Sequence, residues 1–114
     1  MVRGSVVGIV AGLVMAMAHV AAADEAAVKK GMQVFADQKC QVCHSIAGKG
    51  NKNGSLDDVG SRLSSDDIRH WIVNSKEMIE KTKAPRKPAM KMYSLPKEDV
   101  DALVAYLETL KKKS

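Results

Sequence analysis

Two cysteines three residues apart, with a histidine directly behind the second, constrain this chain more than any other stretch: Cys40-Gln41-Val42-Cys43-His44. Thiols at that spacing can each add to one of the two vinyl groups on a single haem edge. The adjoining imidazole is then held beneath the ring, where a nitrogen can ligate the iron. Cys40 and Cys43 are the only cysteines, so no thiol remains for another framework. Two plainer readings compete. A disulfide-exchange pair belongs near a βαβ pattern, which is absent from the sequence. A structural zinc site usually needs four ligands, and beyond the motif the mature region adds only His70. The expected group is therefore one covalently attached haem c with its iron, anchored by Cys40 and Cys43 and ligated by His44.

The N-terminus points to export. Arg3 supplies a positive flank, Val6 to Met17 is apolar and uncharged, and Ala21-Ala22-Ala23 satisfies the small-residue rule for cleavage before Asp24. The apolar run is short for a bilayer span and ends in small residues, so removal is expected over anchoring. No cysteine follows the cleavage point to take a lipid. The expected organisation is a secretory signal peptide over residues 1–23 and one domain over residues 24–114. The expected compartment is the periplasm, with no stable membrane insertion after signal removal; retention as an uncleaved anchor is the alternative. Covalent haem attachment by cysteines is consistent with export.

A domain of this size buries a limited core, and this one holds one Trp, one Phe and two Tyr. A haem would supply the missing apolar bulk, and a ligand bound only by the native state adds to its stability. The formal charge is +5, falling to +4 once Arg3 is removed with the signal, and the pI is about 9.3. That balance favours acidic partner surfaces, although lysine-rich faces are often only solvated. No recognisable nucleic-acid-binding module accompanies the charge, so nucleic acid is not an expected partner.

The pattern reads helix, loop, helix, loop, helix, with no segment alternating convincingly enough for a strand, which makes the fold all-α. The first helix is expected from about Glu25 into the motif, with Val28, Met32 and Phe35 as its apolar face and Gly31 marking a close helix–helix contact. Met32 and Met78 are expected to be packing residues. Ser45 to Gly60, with four glycines and two asparagines, reads as a flexible loop on the proximal side of the haem. A second helix starts near Ser64 or Ser65, where serine caps and Asp66-Asp67 suits the positive end. It carries Ile68, Trp71 and Ile72 inward and ends between Lys76 and Lys81. Two prolines bar a regular helix from Lys83 to Tyr93, which reads as an irregular strap. The last helix follows Pro96, buries Val100, Leu103, Val104, Leu107 and Leu110, and has Lys111 to Lys113 at its negative end.

On these residues the chain resembles the class I cytochrome c family, most closely its single-haem bacterial members. The resemblance spans the mature region: the leading helix with Gly31 and Phe35, the CQVCH motif, the strap, and the final helix reading Asp101 to Leu107. It implies three or more helices wrapped around one haem, with Gly31 letting the first helix approach Tyr106 on the last. One departure stands out. Family members often carry Gly-Pro after the motif, whose carbonyl orients the haem histidine; here the comparable stretch is Gly54-Ser55-Leu56, so another local carbonyl is expected in that role.

The resemblance also implies a methionine on the strap as the second axial ligand. Met90, three residues before Tyr93 and directly after Pro88-Ala89, matches the Met-x-x-aromatic pattern of bacterial relatives. Met92 is the alternative, with little chain left to turn back into the helix; His70 is a remoter one. Either methionine could instead be apolar filler. Trp71 and Arg62 are candidates for holding the propionates. The expected function is that of a monomeric electron carrier, not an enzyme, passing single electrons between redox partner proteins with acidic docking surfaces. The alternatives are an electron-transfer subunit of a larger membrane-bound oxidoreductase and a haem-based sensor or enzyme with a displaceable ligand.

Overall fold

The structure, a computed structural model, describes Gly4 and residues 11–112, with side chains from Asp24 onward. The expected signal peptide, residues 1–23, lies outside the described side chains apart from Gly4, as does Lys113. Among the described residues there are five α-helices: α1 (Ala11–Asp37), α2 (Val59–Arg62), α3 (Ser65–Val73), α4 (Ser75–Thr82) and α5 (Lys97–Glu108). A two-stranded antiparallel ladder, β1 (Ser45–Ile46) with β2 (Lys49–Gly50), pairs Ser45 with Gly50 and Ile46 with Lys49. The expected all-α fold holds, with this small hairpin added. No described helix is long and apolar enough to cross a membrane.

Helix α1 starts well before Glu25, because the Ala-, Val- and Met-rich stretch ahead of it contains nothing that stops a helix. It ends at Asp37, where Gln38 and Lys39 close the last turn and Lys39 takes a left-handed conformation (φ 56°). Its inward face is shifted from the expected one. Val34 is 6% exposed and Gly31 is buried, with Val28 and Phe35 half-buried beside them, whereas Met32 is 52% exposed. The i, i+4, i+7 series through Met32 had an equally good neighbour through Gly31 and Val34, and a methionine carries more apolar weight than a glycine. The crossing partner decided between them.

That partner is α5. The crossing of α1 and α5 is the most extensive contact between elements. A Cβ on Gly31 would collide with Ala102 O and with Tyr106 Cβ, so the backbones meet at a separation only glycine permits. Phe35 then meets Tyr106 edge-on, ring centroids 6.0 Å apart and planes at 84°. Lys30 adds exposed ion pairs to Glu98 and Asp99. Val100, Leu103, Val104 and Leu107 of α5 join Val34, Val59, Ile68 and Ile72 in one core cluster, with Leu110 half-buried against it. Lys111 does not serve the end of α5: its Nζ donates to Gly60 O (3.0 Å), tying α2 to the chain after α5.

Helix α3 begins as the cap signal predicts, with Ser64 Oγ accepting from Asp67 N at 3.1 Å. The expected single second helix is two. Asn74 (φ −146°, ψ 56°) leaves the helical region after Val73, and α4 restarts at Ser75. Ile68 and Ile72 are core, but Trp71 is only half-buried and stands outside the core cluster. Met78 is buried, as expected.

Candidate functional site

The motif is built as a tight turn. After Lys39 the chain winds through a short 3-10 segment, Cys40–Val42, in which Cys40 O accepts from both Cys43 N (3.1 Å) and His44 N (2.9 Å). Side chains at i and i+3 eclipse in such a turn, so Cys40 and Cys43 share one side of it. Both cysteines are half-buried and free. Burial pushes the Cys40 thiol above its ordinary value, against the opposing pull of Tyr93 and Lys91. A disulfide-exchange cysteine needs the reverse, a thiol lowered toward thiolate. No cluster of three or more His, Cys, Asp or Glu side chains able to hold a metal converges among the described residues, so the zinc reading lacks ligands.

His44 is oriented by the loop that follows. Its Nδ1 lies 3.0 Å from Gly54 O, half-buried. A bond that occupies Nδ1 assigns the opposite nitrogen, Nε2, to any metal. Burial holds the imidazole below its ordinary value; the Gly54 bond opposes that shift, and the Arg86 charge adds to it. The expectation that the departure at Ser55 removes the orienting carbonyl is corrected here. The acceptor is the carbonyl of Gly54, one residue ahead of Ser55, so a proline at 55 is not required for it.

The loop from Ser45 to Gly60 is correspondingly more structured than its composition suggests. Ala47 and Gly48 turn the hairpin with positive φ, and Gly50 (φ 109°) packs where a Cβ would strike His44 O. Asn51 caps the next 3-10 turn by accepting from Asn53 N, and its Nδ2 donates to Val42 O at 3.2 Å. Leu56 N donates to Ser45 O (2.9 Å) just after Gly54. Gly54 thus lies between two hydrogen-bonded points, its own N on Asn51 O (3.1 Å) and Leu56 N on Ser45 O.

The strap reaches the motif at two places. Arg86 lies against Gly54 so closely that a Cβ there would collide with its guanidinium and with Cys43 O. Farther along, Tyr93 stands beside Cys40 and Cys43; burial raises its hydroxyl, with the two cysteines adding to the shift. Tyr93 N is pinned to Ile72 O (2.9 Å) and Lys91 Nζ sits 4.8 Å above the Tyr93 ring. Met90 lies between these two contacts. It is half-buried, and its carbonyl accepts from Ser75 Oγ at 2.7 Å. Met92 is 54% exposed.

The remaining candidates are elsewhere or engaged. His70 is exposed on α3. Arg62 is half-exposed and paired with Asp58 (Nε to Oδ1 2.8 Å), on α2 beside the chain that follows α5. A groove of about 660 Å³ lined by Asp24, Val28, Gly60, Leu63 and Lys111, among others, contains no motif or strap residue. The residues that sequence reading passed over are Gly54, Arg86 and Ser75. Ser75 had a signal: it falls on the buried series Ile68, Ile72, where an apolar side chain is the default.

The donor set fits a c-type haem. Two free thiols sit on one side of a single turn, an imidazole has its far nitrogen assigned by a carbonyl, and a half-buried thioether is carried on a strap tethered beside the thiols. Comparison with known proteins agrees. A family model described as Cytochrome c matches residues 28–111. Among curated proteins, cytochrome c oxidase subunit 2 of Alkalihalophilus pseudofirmus is 30% identical over 96 residues, covering 76% of this chain. The chain spans only 27% of that protein's length. No solved structure matches at a significant level.

Proposed function

The chain belongs to the cytochrome c family, and on that premise we propose that its mature form, residues 24–114, is a periplasmic single-haem carrier of electrons between proteins. Cys40 and Cys43 would anchor the haem, and His44 and Met90 would ligate its iron. The observation that carries this reading is the His44 Nδ1 to Gly54 O contact of 3.0 Å within the CQVCH turn, which orients the ring for ligation through Nε2. When bound, the haem supplies an iron that takes up and gives up one electron, at a potential that methionine ligation raises relative to two histidines. The protein's own part is to hold geometry. Thioethers from Cys40 and Cys43 would stop the group from leaving, the Gly54 carbonyl restrains the imidazole from rotating, and the tethered strap would present Met90 to the iron. Ligation by both His44 and Met90 would leave a small molecule no vacant site on the iron, the property of a carrier and not of an enzyme or sensor.

A second reading has one observation in its favour. The similar protein is named as a subunit of cytochrome c oxidase, so this domain could work docked in a larger oxidoreductase. A dedicated subunit co-purifies with its complex; a carrier runs alone as a small monomer. The axial assignment is tested by two variants. Met90→Ala removes the weak near-red charge-transfer band of the oxidised protein and lowers the reduction potential, while Met92→Ala keeps the band. Loss of the band in the Met92 variant alone reverses the assignment.

A further inference from the structure

We propose that Ser75 is a positioning residue for the second axial ligand: its hydroxyl, donated to the Met90 carbonyl, sets how readily the strap lifts Met90 away from the iron. The inference rests on the reading of Met90 as a ligand and adds to it the group that controls its lability.

Ser75 has 0% exposure, yet it carries a hydroxyl. A buried hydroxyl without a partner is unfavourable, and this one has a single described partner, Met90 O at 2.7 Å, fifteen residues away in sequence. The strap between Thr82 and Lys97 has no regular hydrogen-bonded structure of its own. Two described backbone anchors hold it near Met90. One is Tyr93 N on Ile72 O at 2.9 Å, from the last turn of α3; the other is Ser75 Oγ on Met90 O, from the first residue of α4. Both anchors come from the two sides of the Asn74 break. They flank the stretch from Met90 to Tyr93, so the methionine is held from its own main chain, not through its side chain alone. Tyr93 also packs against the core, so the apolar hold lies at the far end of the stretch from Met90. Met92, inside the same stretch, is 54% exposed, and residues 85–89 are all exposed. Removing the hydroxyl leaves Met90 O without that donor and leaves Tyr93 as the nearer anchor.

The test uses the mature oxidised holoprotein and exogenous imidazole as the competing ligand, read by loss of the near-red band. Ser75→Ala is expected to bind imidazole about five-fold more tightly than wild type, the equilibrium factor of one net buried hydrogen bond. Ile68→Val, a core trim on the neighbouring α3 that leaves both anchors intact, controls for general destabilisation and is expected to match wild type. If Ser75→Ala does not accumulate, Ser75→Gly also lacks the hydroxyl and, at the first position of a helix, is tolerated by the backbone. Unchanged imidazole affinity in the hydroxyl-less variant overturns the proposal, as does an equal rise in Ile68→Val. Met90→Ala separates the two levels. If it lacks the band while Ser75→Ala behaves as wild type, only the anchor is wrong; if it keeps the band, the ligand assignment fails and takes the anchor with it.

Discussion

Replacing Gly31 by alanine probes the contact that holds the two ends of the domain together. In an isolated helix the change would stabilise, by about 1 kcal/mol, because glycine is the poorer helix former. Here the new Cβ would enter space already held by Ala102 O and Tyr106 Cβ. The carbonyl belongs to the buried, hydrogen-bonded face of α5 and cannot swing aside, so the helices must separate. Overpacking of a fixed contact typically costs about 1–3 kcal/mol. Separation also weakens the edge-on Phe35–Tyr106 pair, worth about 0.5–1.5 kcal/mol. Against the propensity gain, the net expectation is a loss of about 1–3 kcal/mol, a drop of several degrees or more in melting temperature for a domain of this size. Urea unfolding of the holoprotein, followed by far-UV circular dichroism and by haem absorbance together, measures it. A neutral or stabilised Gly31→Ala variant would mean that propensity outweighs the crossing, and that α1 and α5 do not meet at this glycine.

Three further outcomes follow from the same geometry. Electron transfer to an acidic partner slows as salt rises, since Lys49, Lys52, Lys87 and Lys91 are exposed on the two segments beside the motif and screening shortens their reach to about 8 Å at physiological salt; stopped-flow rates indifferent to salt and to Lys87→Glu and Lys91→Glu would place docking elsewhere. Asp101→Asn lowers stability above about pH 4 and the gap to wild type closes in acid: hydrogen bonds from Lys97 and Arg69 hold the Asp101 carboxyl below its ordinary value, so its contribution is present above the unfolded value and is lost as pH falls through the folded one. Denaturant midpoints across a pH series measure that gap, and a gap constant down to acid pH would mean the side chain acts by packing. Gly54→Ala, which would push into Arg86 and Cys43 O, shifts the reduction potential of the holoprotein by disturbing the carbonyl under His44; an unchanged potential would mean the loop absorbs the methyl group without moving that carbonyl.

What could be read from the sequence depended on whether one local rule governed a residue or two competed. The start of the final helix after Pro96, its buried series from Val100 to Leu107 and the Ser64 cap each had a single physical cause, and the structure agrees, although Leu110 and Lys111 fall beyond the helix end at Glu108. The meeting of Gly31 with Tyr106, which the family resemblance implied, is present as well. Met32 and Val34 illustrate the other case. Both lie on plausible helical stripes, and only the position of α5 selects the one through Val34. The break at Asn74 and the hairpin at Ala47-Gly48 are decisions of one or two backbone torsions, which periodicity over a long window averages away. Arg62 was assigned by what a guanidinium can do; four residues earlier, Asp58 was available to take it at i, i+4 spacing. At the site, the motif announced its chemistry because the thiol spacing and the adjacent histidine are set by covalent bonding. The groups that orient it are main-chain carbonyls and a buried serine, and carbonyls have no letter in a sequence.

The central claim, a haem carried by Cys40 and Cys43 in the mature chain, is tested most directly by intact mass after acid–acetone extraction. The haem is expected to stay with the protein, which then weighs one haem more than the polypeptide of residues 24–114, and Cys40→Ala with Cys43→Ala is expected to abolish the increment. Free haem in the acetone phase over an unmodified polypeptide would contradict it.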